Sequence, residues 1–181
     1  MLTAPAHDTE PATECQLTTP ILIDTDPGID DALAILLAFG SPEVSVEAIT
    51  TVAGNVEVNL GSDNIFRILD IVRPALRPRV AEGASAPLRQ PLVTAPHVHG
   101  ADGLGNLDRF VEPDGKRRYP GLSRGLEMLD GADLILRTIE DFPDQLVVVA
   151  LGPLTNLALA VERDPEALKR CARIVVMGGA V

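Results

Sequence analysis

Four aspartates with the spacing of a chemical site lie close together near the start of the chain: Asp24, Asp26, Asp30 and Asp31. They follow the apolar segment 21–23 and lead into an apolar helical pattern at 32–39. A turn between a strand and a helix places its side chains at the carboxyl edge of a parallel sheet, where open α/β sheets bind ligands. Carboxylates this close repel one another, so a cation or a shared proton has to compensate. Because the cluster contains neither Cys nor His, its oxygen ligands favour Ca²⁺ or Mg²⁺ over zinc.

The composition is that of a globular protein with an acidic surface. The chain has 181 residues, of which 46% are hydrophobic, and this suffices for one domain with a core. Its formal net charge of −11 argues against nucleic acid or an anionic membrane as a partner, since both require a basic face. The sequence shows no apolar run of membrane-spanning length, and because the first residues lack a basic start and an apolar segment, we expect no secretory signal. The two cysteines, Cys15 and Cys171, do not make a disulfide framework, so we expect a cytoplasmic protein.

Strand and helix patterns alternate along most of the chain. The predicted strands are 21–24, 44–52, 79–81, 146–151 and 173–177, and the predicted helices are 30–39, 57–72, 130–141, 153–163 and 165–171. This alternation predicts an α/β fold with a Rossmann-like, doubly wound and mostly parallel sheet. Residues 1–18 have no periodic pattern and predict a mobile tail. Residues 82–127, rich in Pro and Gly, predict a long excursion from the sheet.

Five motifs in order resemble the nucleoside hydrolases, the inosine-uridine preferring family. They are Asp24-Thr-Asp-Pro-Gly-Ile-Asp-Asp31, Ala48-Ile-Thr-Thr-Val-Ala-Gly-Asn55, His97-Val-His-Gly-Ala-Asp-Gly-Leu-Gly105, Leu151-Gly-Pro-Leu-Thr-Asn156 and Val176-Met-Gly-Gly179. The resemblance assigns residues 19–181 to the amino-terminal portion of a single nucleoside hydrolase domain, with a truncated form of that fold. Because the chain stops directly after its last strand motif, we expect a fragment or a truncated product.

The resemblance implies hydrolysis of the N-glycosidic bond of ribonucleosides, giving ribose and a free base, with a Ca²⁺-activated water. Carried over by motif, Asp26 would be a metal ligand and the general base. Asp31 would be a second metal ligand, and the backbone carbonyl of Leu151 a third. Asp24 would lie behind these ligands without contacting the metal.

The same resemblance assigns the substrate contacts. Asp30 and Asn55 would hold ribose hydroxyls, and His99 would line the pocket. Further metal and ribose ligands of the family belong to sequence beyond the last motif, so we expect this chain alone to bind Ca²⁺ weakly and to show little hydrolase activity. The resemblance also allows a homo-oligomer.

Other interpretations stay open at this point. Taken singly, Asp30 and Asp31 could serve only the start of a helix, where acids complement the dipole. The chain could be a non-catalytic nucleoside-binding, ribose-binding or interaction fragment, because function depends on the completed site. Asp24 and Asp26 also match the Asp-x-Asp of haloacid dehalogenase-type phosphatases, which use Mg²⁺. That family usually has Thr or Val where this chain has Gly28.

Overall fold

The computed structural model describes residues 18–121 and 125–179, and a parallel sheet forms the centre of the molecule. Its strands are β1 (Thr19–Thr25), β2 (Val44–Thr51), β3 (Arg79–Glu82), β4 (Val147–Ala150) and β5 (Arg173–Val176). Their spatial order is β3-β2-β1-β4-β5, and each neighbouring pair is parallel. The predicted Rossmann-like, doubly wound sheet is therefore confirmed.

Helices cover the sheet on both faces. They are α1 (Ile29–Gly40), α2 (Val58–Val72), the short α3 (Pro96–His99), α4 (Gly131–Asp141) and α5 (Thr155–Arg163), with 3₁₀ turns at Leu107–Arg109 and Ala167–Arg170. Alternate residues of β1 point to opposite faces. Ile23 packs in the cluster that includes residues of α1 and α2, whereas Leu22 packs in the cluster that includes residues of α4 and α5.

The predicted elements are present, with shifted boundaries. The helix predicted at 153–163 begins at Thr155, after Pro153. The helix predicted at 165–171 is a 3₁₀ turn, because its backbone bonds join residues three apart, such as Lys169 N to Glu166 O. Most of the predicted tail, residues 1–17, lies outside the described residues. No helix in the described ranges is both long and apolar enough to cross a membrane.

The strand order reverses at the boundary between β1 and β4. The chain leaves β1 toward β2 and leaves β4 toward β5, so the connections diverge and leave a crevice at the carboxyl ends of these strands. Open α/β sheets bind ligands at such a switch point. Residues 26–31, here called the aspartate turn, follow β1, and Leu151 follows β4. The topology itself therefore brings these predicted residues to one edge of the sheet.

Candidate active site

The turn between β1 and α1 is held in place by Asp31. Its Oδ1 accepts a hydrogen bond of 2.5 Å from the hydroxyl of Thr25, and its Oδ2 accepts one of 3.0 Å from the backbone N–H of Gly28. Asp31 is the third residue of α1, and a carboxylate at this position complements the helix dipole. Asp31 is only 2% exposed, so its position is fixed relative to β1.

Asp26 lies buried at the centre of this turn. Its Oδ2 accepts a hydrogen bond of 2.7 Å from the backbone N–H of Asn55, and the Asn55 side chain donates to the Asp26 carbonyl oxygen at 3.3 Å. Burial, the largest cause, together with repulsion from Asp31 and Asp30 raises the pKa of Asp26 to about 7, although the hydrogen bond from the Asn55 N–H acts in the opposite direction. The site therefore holds more negative charge than its own hydrogen bonds compensate.

The end of β4 completes the wall around Asp26. The backbone N–H groups of Leu151 and Gly152 donate to the carbonyl oxygen of Asp24 at 2.8 and 3.3 Å. A Cβ placed on Gly152 would lie 2.9 Å from Asp26 Oδ1, and one placed on Gly54 would overlap Asp26 Oδ2. Two glycines thus leave room for this carboxylate and bring the Leu151–Gly152 segment against it.

Asp24 lies behind the turn and is fully buried. Its Oδ1 accepts hydrogen bonds from the Thr50 hydroxyl at 2.6 Å and from Asn156 Nδ2 at 2.8 Å. Burial raises the pKa of Asp24 to about 6, and these two hydrogen bonds oppose the shift. A carboxylate with no exposed surface does not reach a substrate as a nucleophile, so the structure argues against the phosphatase interpretation. The role of Asp24 behind the proposed metal ligands stays a prediction.

Asp30 and His99 form the outer part of the site. The Asp30 carboxylate lies 3.8 Å from His99 Nδ1, and its side chain is 61% exposed. The backbone N–H of Ile29 donates to the same Nδ1 at 3.3 Å, which makes this nitrogen an acceptor and leaves Nε2 as the donor of a neutral ring. A Cβ on Gly28 would lie 2.7 Å from His99 Nδ1 and 3.0 Å from Asn55 Nδ2, so glycine here lets both side chains approach the turn.

Asn64 of α2 links the aspartate turn to the segment that carries His99, although none of the sequence motifs includes it. Its side-chain nitrogen donates to the carbonyl oxygens of Asp102 at 2.9 Å and of Pro27 at 3.4 Å. Arg67, one helical turn further on, lies 4.0 Å from the Asp102 carboxylate. The one sequence feature that could have indicated Asn64 is its position as a polar residue beside Ile65 on the buried face of α2.

The donor set at the turn consists of oxygen atoms. Within residues 18–121 and 125–179, no group of three or more His, Cys, Asp or Glu side chains is arranged to hold a metal ion. Asp26 and Asp31, together with the Leu151 carbonyl, offer the ligand chemistry that Ca²⁺ prefers. They supply fewer than the about six to eight oxygens that this ion takes. The residues present therefore fit part of a calcium site.

The site falls inside a region that matches a known family. The family model described as inosine-uridine preferring nucleoside hydrolase matches residues 21–181, which include every predicted site residue. This chain belongs to the nucleoside hydrolase family. The family predicted from the five motifs is thus confirmed, whereas the individual roles of the site residues stay predictions.

Individual nucleoside hydrolases match along nearly the same region. Probable uridine nucleosidase 2 of Arabidopsis thaliana is 44% identical over 162 residues, covering 88% of this chain and 47% of that protein. The solved structure of the plant nucleoside hydrolase PpNRh1 matches with a TM-score of 0.77 and 42% identity, covering 90% of this chain and 48% of that one. A purine-preferring ribonucleoside hydrolase from Gardnerella vaginalis matches with a TM-score of 0.76 and 32% identity. The chain spans about half the length of the curated relatives it matches.

Proposed function

We propose that this chain binds Ca²⁺ and the ribose of a ribonucleoside at the aspartate turn, and that this site serves to hydrolyse the N-glycosidic bond. The proposal rests on the way Asp26, Asp31 and Asn55 come together near the sheet's switch point. Asp26 and Asp31 follow β1, and Asn55 follows β2. Family membership supports the reaction class. The products would be ribose and a free base.

The metal would be held by Asp26, Asp31 and the carbonyl of Leu151. A divalent cation there would offset the burial of the Asp26 carboxylate and its repulsion from Asp31, both of which raise its pKa. When bound, Ca²⁺ supplies positive charge that polarises a water and anchors the vicinal hydroxyls of ribose.

Asp26 is the residue best placed to take a proton. Without metal the pKa of Asp26 is raised to about 7, and a cation bound beside it would lower that pKa, so the carboxylate would be ionised and able to accept a proton at neutral pH. Glycosidic cleavage passes through an oxocarbenium-like state, so the negative charge of Asp26 and Asp31 also stabilises the sugar ring as positive charge develops. Direct attack by water requires no covalent intermediate.

Asp30, Asn55 and His99 supply the polar groups for ribose. The exposed Asp30 carboxylate accepts hydrogen bonds from hydroxyls, whereas Asn55 Nδ2 and His99 Nε2 donate them. His99 and Asn55 both approach Gly28, in the turn that carries the buried Asp26, so a ribose held by them would lie beside the proposed base.

A second function, nucleoside binding without hydrolysis by this chain alone, is favoured by two observations. The proposed ligands leave Ca²⁺ under-coordinated, and the relatives are about twice as long as this chain. Homo-oligomer formation and a cytoplasmic location also remain predictions.

Equilibrium binding and turnover of uridine and inosine test the proposal. Binding of either nucleoside should require Ca²⁺ and should be lost in Asp31→Asn, while the exposed Asp114→Asn serves as the matched control. Release of ribose would identify a hydrolase, and binding without release would identify the second function. Nucleoside binding that ignores Ca²⁺ and survives in Asp31→Asn would contradict both.

A further inference from the structure

A cavity of about 760 Å³ lies at the opposite end of α2 from the candidate active site. Its wall includes Arg67, Arg73 and Arg77, together with Arg118 and Tyr119. The first turn of α2 follows the Asn55 loop, whereas Arg73 caps the last turn, about 22 Å away for a helix of this length. None of these residues belongs to the aspartate turn.

The charge of this cavity contrasts with that of the chain. Four arginines and one acid, Asp70, are among the described residues that line it, although the formal net charge of the chain is −11. A concave site whose lining carries mainly one sign of charge concentrates ions of the opposite sign. The cavity therefore favours an anionic ligand.

Three of the arginines keep donors available. Arg77 Nη2 donates to Asp70 Oδ1 at 3.0 Å, Arg73 Nε to the Asp70 carbonyl oxygen at 3.3 Å, and Arg118 Nε to Glu112 at 3.0 Å. Arg118 also forms a side-chain hydrogen bond with Tyr119. Because each guanidinium group carries five N–H donors, these bonds leave other donors available. The side chains of Arg77 and Arg118 are 44% and 49% exposed, so a ligand can reach them.

Arg67 provides an independent observation. It lines the cavity and is only 4% exposed. Its Nη2 lies 3.0 Å from Asp108 Oδ1 and its Nη1 lies 4.0 Å from Asp102 Oδ2, but Nε and Nη1 make no hydrogen bond within the part of the chain that the structure describes. Buried polar groups normally find hydrogen-bond partners, so these two nitrogens leave donor capacity on a residue that lines the cavity.

We propose that the cavity lined by Arg67, Arg73, Arg77 and Arg118 binds a phosphate-bearing small molecule. Guanidinium groups pair with phosphate oxygens through two parallel hydrogen bonds, and several of them together match a doubly charged group better than a single carboxylate. The half-buried Tyr119 adds a hydroxyl donor and a ring against which a base can pack. This site is separate from the proposed hydrolase site and does not depend on it.

Calorimetric titration of the 181-residue protein with inorganic phosphate, pyrophosphate and uridine 5′-monophosphate, at constant ionic strength, tests the site. We expect saturable binding that falls about tenfold or more in the Arg73→Gln/Arg118→Gln double variant, since at least one charge-assisted hydrogen bond is lost. Arg89→Gln, an exposed arginine outside the cavity, should leave binding unchanged. Equal affinity for phosphate and the nucleotide would assign the phosphate group alone as the ligand, and tighter nucleotide binding would assign a nucleotide.

Two controls make the result decisive. Melting temperatures measured in a chloride buffer without the tested anions show whether the double variant is folded. Its two altered side chains are both exposed. Asp31→Asn shows whether the nucleotide enters the candidate active site instead, because binding at the arginine cavity should persist in that variant. The proposal is overturned if none of the three anions binds saturably, or if the folded double variant binds as well as the unaltered protein.

Discussion

Asn156 donates a hydrogen bond of 2.8 Å from Nδ2 to Oδ1 of Asp24, although 132 positions separate the two residues in the sequence. The same nitrogen donates to the Thr51 carbonyl oxygen at 2.9 Å, and the side-chain oxygen accepts from the Ala84 backbone N–H at 2.8 Å. One buried amide therefore joins the ends of β1 and β2 to the segment after β3. It does so directly behind the aspartate turn.

Asn156→Ala should destabilise the protein by about 2–4 kcal/mol, because it leaves buried partners such as Asp24 and the Ala84 N–H without hydrogen bonds. The free energy of unfolding in urea, measured without metal, gives the value. Asn59→Ala is the matched control, since Asn59 is an exposed asparagine of α2. Equal stability of the two variants would show that the buried amide does not hold the strand ends together.

The metal-free protein should lose stability as the pH rises from about 4 to about 7. Burial raises the pKa of Asp24 to about 6 and that of Asp26 to about 7, compared with 3.8 for an ordinary aspartate. The folded state therefore holds more protons than the unfolded state in this window, and the free energy of unfolding falls with pH until both groups are ionised. Each pKa unit corresponds to about 1.4 kcal/mol.

Urea unfolding in the presence of a chelator, at several pH values, measures this slope. Asp26→Asn should reduce the slope of the free energy of unfolding in the upper part of this pH range. It should also make the metal-free protein more stable above about pH 7, since the mutation removes a buried charge that its surroundings disfavour. The exposed Asp114→Asn should keep the slope of the unaltered protein. A free energy of unfolding that rises with pH across this window would contradict the assignment.

Gly54→Ala should weaken Ca²⁺ binding by about tenfold or more, because the added Cβ overlaps Asp26 Oδ2 and displaces a proposed ligand. Calorimetry with Ca²⁺ measures the loss, and circular dichroism confirms that the variant is folded. Gly40→Ala is the matched control, since a Cβ on Gly40 meets nothing within 4 Å. Unchanged affinity in Gly54→Ala would mean that Asp26 does not contact the metal.

Asn64→Leu should loosen the His99 segment while α2 remains formed. The variant removes the donor that joins the carbonyl oxygens of Pro27 and Asp102. Amide hydrogen exchange at residues 100–108 should accelerate relative to Asn59→Leu, a substitution on the exposed face of the same helix. Equal protection of this segment in both variants would exclude the proposed link.

The fold followed from local patterns, because alternation and helical periodicity report which side of an element is buried. In β1, Ile21 and Ile23 face one core cluster and Leu22 faces the other, as alternation requires. Motif order was enough to place Asp26 and Asp31 at one edge. A parallel sheet does bring its carboxyl ends together there.

The supporting contacts could not be predicted, because they join residues that are distant in sequence. Asn156 resembled an ordinary residue of a first helical turn, and nothing local indicated that it reaches Asp24. Asn64 likewise bonds Pro27 and Asp102, which lie 37 and 38 positions away. Such bonds depend on how the helices pack on the sheet. In the sequence, the only indication of this packing is a polar residue on an otherwise apolar helix face.

The most direct test of the aspartate turn as a metal site is a Ca²⁺ titration followed by amide chemical shifts in nitrogen-15 labelled protein. We expect saturable shifts at Asp26, at residues 28–31, at Asn55 and at Leu151 and Gly152. We expect none of these in Asp31→Asn, and shifts like those of the unaltered protein in Asp114→Asn. Absence of saturable shifts at the turn, or the same shifts in Asp31→Asn, would contradict the account.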